Sequence, residues 1–172
     1  MESNLSSPRL GIDIGRVIIA PDGNDGADTS FIGGSLDDAL ATPPYEGMFE
    51  HVPALVERFG GSVWLVSKAG IRVQDKTLRW LEHHRFHERT GIAPENVRFC
   101  RQRPEKAHHC RDLGITHFID DRADVLLHLE GVVAHRFLFG PQRARTQGEQ
   151  WREAGTWAIA SREVLATLAP VQ

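Results

Sequence analysis

A chain of 172 residues, 41% hydrophobic and 25% charged, has the size and composition of one soluble globular domain with a substantial core. Its 20 basic and 23 acidic residues leave a net charge of -3, which argues against tight non-specific binding to nucleic acid. The opening MESNLSSPRL lacks a basic stretch followed by an apolar one, and nowhere do about 18 apolar residues follow one another, so a cytoplasmic protein without a membrane span is expected. Cys100 and Cys110 form no CxxC pair and are expected as reduced thiols.

In chain order, Leu10 to Ile19 is an almost unbroken apolar run, LGIDIGRVII, and reads as a strand buried on both faces of a parallel sheet. Residues 21 to 47 are rich in Gly, Pro and Asp and are expected as a loop or short hairpin with one helical turn. Val52, Leu55, Val56 and Phe59 recur at helical spacing up to a stop at Gly60-Gly61, and SVWLVS follows as a second strand. The next helix buries Val73, Thr77, Trp80, Leu81 and His84 and breaks near Thr90-Gly91. NVRFC is a third strand, and Pro104 opens a helix that carries Lys106 and Cys110 and ends at Gly114. ITHFIDD, the helix Ala123 to Leu129 and the strand VVAHRFLF complete the pattern. In the tail, TWAIA is expected as an edge strand and SREVLATL as a last helix, with Val164, Leu165 and Leu168 facing inward. The alternation of strands and helices predicts an α/β, three-layer Rossmann-like fold. Its mainly parallel sheet has five strands or slightly more.

Ligands of such sheets bind beyond the carboxyl ends of the strands, and here those ends are polar. Asp13 lies on the first strand, Ser67-Lys68 close the second, Lys106 follows the third, and Asp120-Asp121 close the fourth with Asp124 beyond. Carboxylates brought together repel one another unless a cation sits among them, and hard oxygen ligands without His or Cys favour Mg2+. The lysines remain for an anion, and such a set suits a phosphoryl group in transit. Asp13 is a candidate nucleophile that forms an aspartyl-phosphate, with Lys106 neutralising the equatorial oxygens.

Asp13-Ile14-Gly15-Arg16-Val17, VWLVSK ending at Ser67-Lys68, Lys106 ahead of LGITHFIDD, and Asp120-Asp121 together resemble the four ordered motifs of the haloacid dehalogenase (HAD) superfamily. The resemblance covers roughly residues 10 to 139. It implies that Asp13 is nucleophile and metal ligand, that Gly15 coordinates Mg2+ through its backbone carbonyl, and that Asp121, with Asp120 as partner, completes the metal site. It further implies that Ser67 and the Lys68 backbone hold phosphate, that Lys106 bridges nucleophile and phosphate, and that Asp124 lies one layer out. One HAD-like domain spanning 1–172 is expected, with a flap or minimal cap at about 20–47 and a C-terminal extension at about 140–172. Many phosphatases of the superfamily carry a second aspartate two residues after the nucleophile as general acid and base. Here that position is Gly15, and losing such a group lowers a rate by about 100- to 10,000-fold. Asp22, Asp25 and Asp28 in the flap, or a group on the substrate, are candidate substitutes.

Plainer roles stand beside these. Asp13 alone would pass for a structural carboxylate, Ser67 for a helix cap, and one of Asp120 and Asp121 for a cap of the following helix. His83 and His87 stand four apart in HHRFH, but no HExxH or thiolate completes a zinc site. Arg98, Arg101 and Arg103 read as a solvated face or, near the rim, as a site for a second phosphate or a nucleotide. Tyr45 and Phe31 in the flap are candidate substrate contacts. The reading that accounts for the whole pattern is a Mg2+-dependent phosphatase acting on a small phosphorylated metabolite such as a nucleotide or sugar phosphate. The alternatives are a catalytically weak binding or regulatory protein, motivated by Gly15, and a dehalogenase, which has no need of the Asp120-Asp121 pair. Oligomerisation is left open.

Overall fold

Consecutive apolar residues such as Val63 to Val66 require cover on both faces of a sheet, and the fold supplies it. The computed structural model describes residues 6–21, 34–142 and 150–171. Six strands, β1 (Leu10–Ile12), β2 (Val63–Lys68), β3 (Val97–Cys100), β4 (His117–Asp120), β5 (His135–Phe139) and β6 (Arg152–Ala154), form one sheet in the order β3-β2-β1-β4-β5-β6. Every pairing is parallel. The helices among the described residues are α1 (Leu36–Ala41), α2 (Met48–Arg58), α3 (Ile71–His83), α4 (Phe86–Thr90), α5 (Lys106–Leu113), α6 (Ala123–His128) and α7 (Trp157–Leu165). None of them is long and apolar enough to cross a membrane.

Side chains of successive strand residues point to opposite faces, and β2 shows the result. Val63 and Leu65 join Trp80, Leu81, Phe86 and Trp157 in one core, whereas Trp64 and Val66 join Cys110, Phe118, Val125 and Leu126 in the other. Gly11 faces the second core, where a Cβ would come within 2.5 Å of Phe118 Cδ2 and 2.7 Å of Cε2. Phe118 is fully buried and pairs in register with Gly11, so neither group has room to move. Gly11→Ala is therefore expected to cost about 1–3 kcal/mol through overpacking, read as a lower midpoint in urea unfolding. An unchanged midpoint would show that the β1–β4 contact is looser than described.

Three expectations need correction. The apolar run does not continue as strand to Ile19, because β1 ends at Ile12 and the chain then folds back. The amides of Val17, Ile18 and Ile19 converge on the Ile14 carbonyl at 3.3, 2.8 and 3.1 Å, and Arg16 adopts a left-handed φ of 62°. Ile14, Val17, Ile18 and Ile19 are fully buried in this turn, and Trp157 Nε1 donates to the Val17 carbonyl at 2.8 Å. A wholly apolar run reports burial, and a buried turn satisfies it as well as a strand. Second, TWAIA is helical. Thr156 caps α7 by accepting from the Ile159 amide at 3.2 Å, and the edge strand is the preceding Arg152–Ala154. Third, the helix with Trp80 breaks at Arg85, with φ 53°, before the expected Thr90-Gly91, and α4 follows as a separate turn. His83 and His87 thus belong to different helices, and His87 Nδ1 lies 2.8 Å from the Ile92 carbonyl.

The base of the expected flap is a hairpin, with Ile19 and Pro44 in an antiparallel bridge and Tyr45 N–H donating to the Ile18 carbonyl at 2.8 Å. Its return limb is tied to α3 by Trp80 Nε1, which donates to the Thr42 carbonyl at 2.8 Å. Asp22, Asp25, Asp28 and Phe31 lie outside the described residues. At the other end of the chain, β6 and α7 extend the sheet and the core, with Ala154, Trp157 and Val164 buried.

Candidate functional site

The sheet order places β1 and β4 side by side at its centre, where the chain switches from building one half to building the other. The crevice beyond the carboxyl ends of two such strands is where open α/β sheets bind ligands. Asp13 follows β1 directly, with its N–H donating to the Ile119 carbonyl at 3.0 Å, and Asp120 ends β4 with Asp121 next in the chain. Lys106 opens α5 from the same rim. The structure thus brings together Asp13, Asp120, Asp121 and Lys106, and one oxygen of each carboxylate lies within 4.8 Å of the others.

Lys106 is the hub. Its ammonium is almost fully buried and donates to Asp13 Oδ1 at 2.8 Å and Asp120 Oδ2 at 2.7 Å. An ammonium has three donors, so one remains for a further acceptor. Burial alone would lower the Lys106 pKa, but the Asp120 and Asp13 carboxylates outweigh it, and the group stays cationic at every working pH. Asp120 uses its second oxygen to accept the Arg122 N–H at 3.0 Å, so both of its oxygens are engaged by protein. Asp121 has no such ammonium. Burial, followed by the charges of Asp120 and Asp13, pushes its carboxyl up to about 9. Burial and the Asp13 charge push Asp120 up to about 6 against the pull of Lys106.

Among the described residues the three carboxyls have one ammonium, in direct contact with Asp13 and Asp120, with the Arg122 guanidinium a further cation near them. Their ligand atoms are all hard oxygens, the donor set that suits Mg2+ and not zinc, so the residues present fit a divalent cation. Asp121 shares a hydrogen bond with Asp13 and makes no ion pair with Lys106 among the described residues.

Other expected site residues are placed less directly. Ser67 is buried and Lys68 half-buried where β2 ends, in the strand flanking β1. No hydrogen bond or ion pair among the described residues joins either to the carboxylates. Gly15 lies in the turn after Asp13, in a bridge with Ile19. Asp124 is in the first turn of α6 and binds Arg122 through Nε–Oδ1 and Nη2–Oδ2 contacts of 3.0 Å each. In the basic stretch, Arg98 Nη1 donates to the Glu95 carbonyl and the Arg101 backbone N–H donates to Glu105 Oε2 at 3.0 Å, while the Asp124 pKa is lowered by its hydrogen bond to Arg122 and further by the Arg103 charge. Both cysteines are free and buried, with Cys100 pushed up to about 11 by that burial.

Sequence reasoning passed over Gln142. Its Nε2 donates to the Asp121 and Phe139 carbonyls, each at 3.0 Å, fastening the loop after β4 to the end of β5. A glutamine in a Gly-Pro-rich exit loop carries no pattern that would have pointed to it. Tyr45 stands nearby, packed edge-on against Phe139 at 4.9 Å between ring centres. Burial and then the charge of Asp121 raise its pKa, so the phenol remains protonated.

An all-parallel sheet of this order, with helices packed on both faces, is a three-layer Rossmann-like α/β architecture. The chain is similar in structure to a haloacid dehalogenase-like family hydrolase from Xanthomonas campestris, with a TM-score of 0.61, 12% identity, and coverage of 93% of this chain and 96% of that one. At that identity the likeness is one of fold, and it extends into the tail that the motifs left unmatched. No family model and no curated protein matches the chain.

Proposed function

We propose that this protein is a HAD-like, Mg2+-dependent phosphohydrolase that transfers the phosphoryl group of a small phosphomonoester to Asp13 and then to water. The observation that carries the reading is the triad of carboxylates within 4.8 Å of one another, two of which, Asp13 and Asp120, are bridged by the buried Lys106 at 2.8 and 2.7 Å. A structural carboxylate in a strand end needs one partner, not two further acids and an ammonium.

Mg2+ held by Asp13, Asp121 and the Gly15 carbonyl, with Asp120 beside them, would offset the repulsion between a carboxylate and a phosphoryl group. The remaining steps belong to the chain. Asp13 Oδ attacks phosphorus and the bond to the ester oxygen breaks, the departing oxygen taking its proton from solvent, while Lys106, already hydrogen-bonded to Asp13, presents its third N–H to an equatorial oxygen and stabilises the charge that develops there. Ser67 and the Lys68 backbone, at the end of the neighbouring strand, hold a second oxygen. Asp120, with both oxygens engaged, keeps Lys106 in place. Water then attacks phosphorus and frees Asp13. Nothing at Gly15 protonates the leaving group, so turnover should fall steeply as the leaving group becomes more basic.

Phosphate release from esters graded in leaving-group acidity, with and without Mg2+, tests this reading. Mg2+-dependent release that favours aryl over alkyl phosphates is expected. Gly15 also favours a second reading, in which the protein retains the metal site but hardly turns over. Intact Mg2+ binding with no release from any ester would establish it and sink the first.

The metal site makes a separate prediction. Asp121 carries its proton in the metal-free protein near pH 7.5, since its pKa lies at about 9. Binding a cation requires the carboxylate, so about one proton should be released per Mg2+, and affinity should rise about tenfold per pH unit up to about pH 9. Calorimetric titration in buffers of different ionisation enthalpy reads the proton directly. Release of none would contradict a protonated Asp121 that ionises to bind the ion.

A further inference from the structure

A second centre lies at the opposite end of the sheet from the carboxylates. Parallel pairing of β5 with β6 begins only at Phe137 and Arg152, so the residues just before them diverge. Between them opens a cavity of about 180 Å³ lined by Ala134, His135, Arg136, Phe137, Gln150, Trp151 and Arg152. That is room for about six waters, or for one small anion with part of its hydration shell.

Two of the lining residues, Arg136 and Trp151, carry a buried donor without an acceptor. Arg136 is nine-tenths buried and permanently cationic. Its Nη1 donates to the Leu126 carbonyl at 2.7 Å, but its Nε has no acceptor, and no carboxylate among the described residues pairs with it. The indole Nε1 of Trp151 is likewise buried without an acceptor. Buried polar groups are almost always hydrogen-bonded, and buried charges almost always paired. Two orphan donors, one on an uncompensated cation, belong to residues that line one cavity, and together they indicate a missing anionic acceptor. The rim adds positive charge through Arg152, which among the described residues meets one carboxylate, Glu163 at 3.2 Å, while His135, its pKa lowered by burial, stacks as a neutral ring on buried His117 with ring centres 4.4 Å apart.

We infer that this cavity binds a small oxyanion, phosphate or the phosphate group of an ester, with the Arg136 guanidinium as its charge partner and the Trp151 indole as a second donor. The site is independent of the catalytic reading, because no residue is shared with the rim around Asp13. It would sense free phosphate or a phosphorylated metabolite from the far end of the sheet.

The test is an NMR titration of the metal-free full chain at constant ionic strength, with inorganic phosphate in one arm and glycerol phosphate in the other. The Trp151 indole N–H, assigned through Trp151→Phe, is the reporter. A saturable shift with half-saturation at or below about 1 mM, mirrored in the amides of 134–137 and 150–152, is expected, and in Arg136→Met at least about tenfold weaker. Saturation by both probes identifies the free oxyanion as sufficient, and saturation by the ester alone identifies the esterified group. Arg136→Met should also melt no lower than wild type without phosphate, since it removes a charge that lacks a partner. Shifts confined to the rim around Asp13, Ser67 and Asp121, or a linear response at the cavity, would overturn the proposal whether or not Arg136→Met folds.

Discussion

Asp13→Asn is expected to lower turnover of any accepted phosphomonoester by at least about 10³-fold while leaving the fold intact. The change is nearly isosteric, and the amide oxygen still accepts from Lys106, so the buried hydrogen bond at 2.8 Å has a replacement. What disappears is the nucleophile, whose removal in enzymes that work through covalent intermediates costs about 10³- to 10⁶-fold. One carboxylate fewer also relieves repulsion on Asp120 and Asp121, so the metal-free variant should unfold at equal or higher urea concentration than wild type. Mg2+ should bind it more weakly. Initial-rate measurement beside urea unfolding separates the two effects. Turnover within about tenfold of wild type would exclude Asp13 as the nucleophile.

The largest effect on stability is expected from Lys106→Met. Lys106 is the one ammonium in contact with Asp13 and Asp120, both buried, and methionine fills its volume without its charge. Breaking a buried ion pair by removing one partner costs about 3–5 kcal/mol, because the other charge stays behind unpaired. In a chain of this size that corresponds to a fall in Tm of roughly 10 °C. The pH dependence has a definite sign. A buried carboxyl whose folded pKa is raised favours the folded state only while protonated, and loses that contribution as pH rises through the folded pKa. Asp120 lies at about 6 even with Lys106 present and rises further without it. The deficit of Lys106→Met should therefore be largest above pH 7 and shrink toward pH 5. Saturating Mg2+ should recover part of it by supplying positive charge. A deficit independent of both pH and Mg2+ would show that Lys106 contributes packing and not charge.

How much of this was legible in the sequence depended on what each signal reports. The alternation of short apolar runs with helical spacing reports layers, and it led to the parallel sheet and to the positions of Asp13, Lys106 and Asp120-Asp121 at its rim. These residues were conspicuous because a charge inside or just after an apolar run has few plain explanations. The turn at 14–19 was invisible for the converse reason, since its residues are as buried as those of a strand. Thr156 was the overlooked signal in the tail, a capping residue ahead of WAIA that starts a helix. Gln142 acts through two backbone carbonyls, and Arg136 is defined by what it fails to meet. Neither property belongs to a single residue, and both require the packed chain.

The central claim is that the phosphoryl group passes through Asp13. Wild-type protein mixed with Mg2+ and an aryl phosphate, quenched in acid during the first turnovers and digested for mass spectrometry, tests it most directly. The peptide containing Asp13 should carry one phosphoryl group on that residue, lost on treatment with hydroxylamine and missing when Mg2+ is withheld. Phosphate release at an undiminished rate with the phosphoryl group on any other residue would contradict the account.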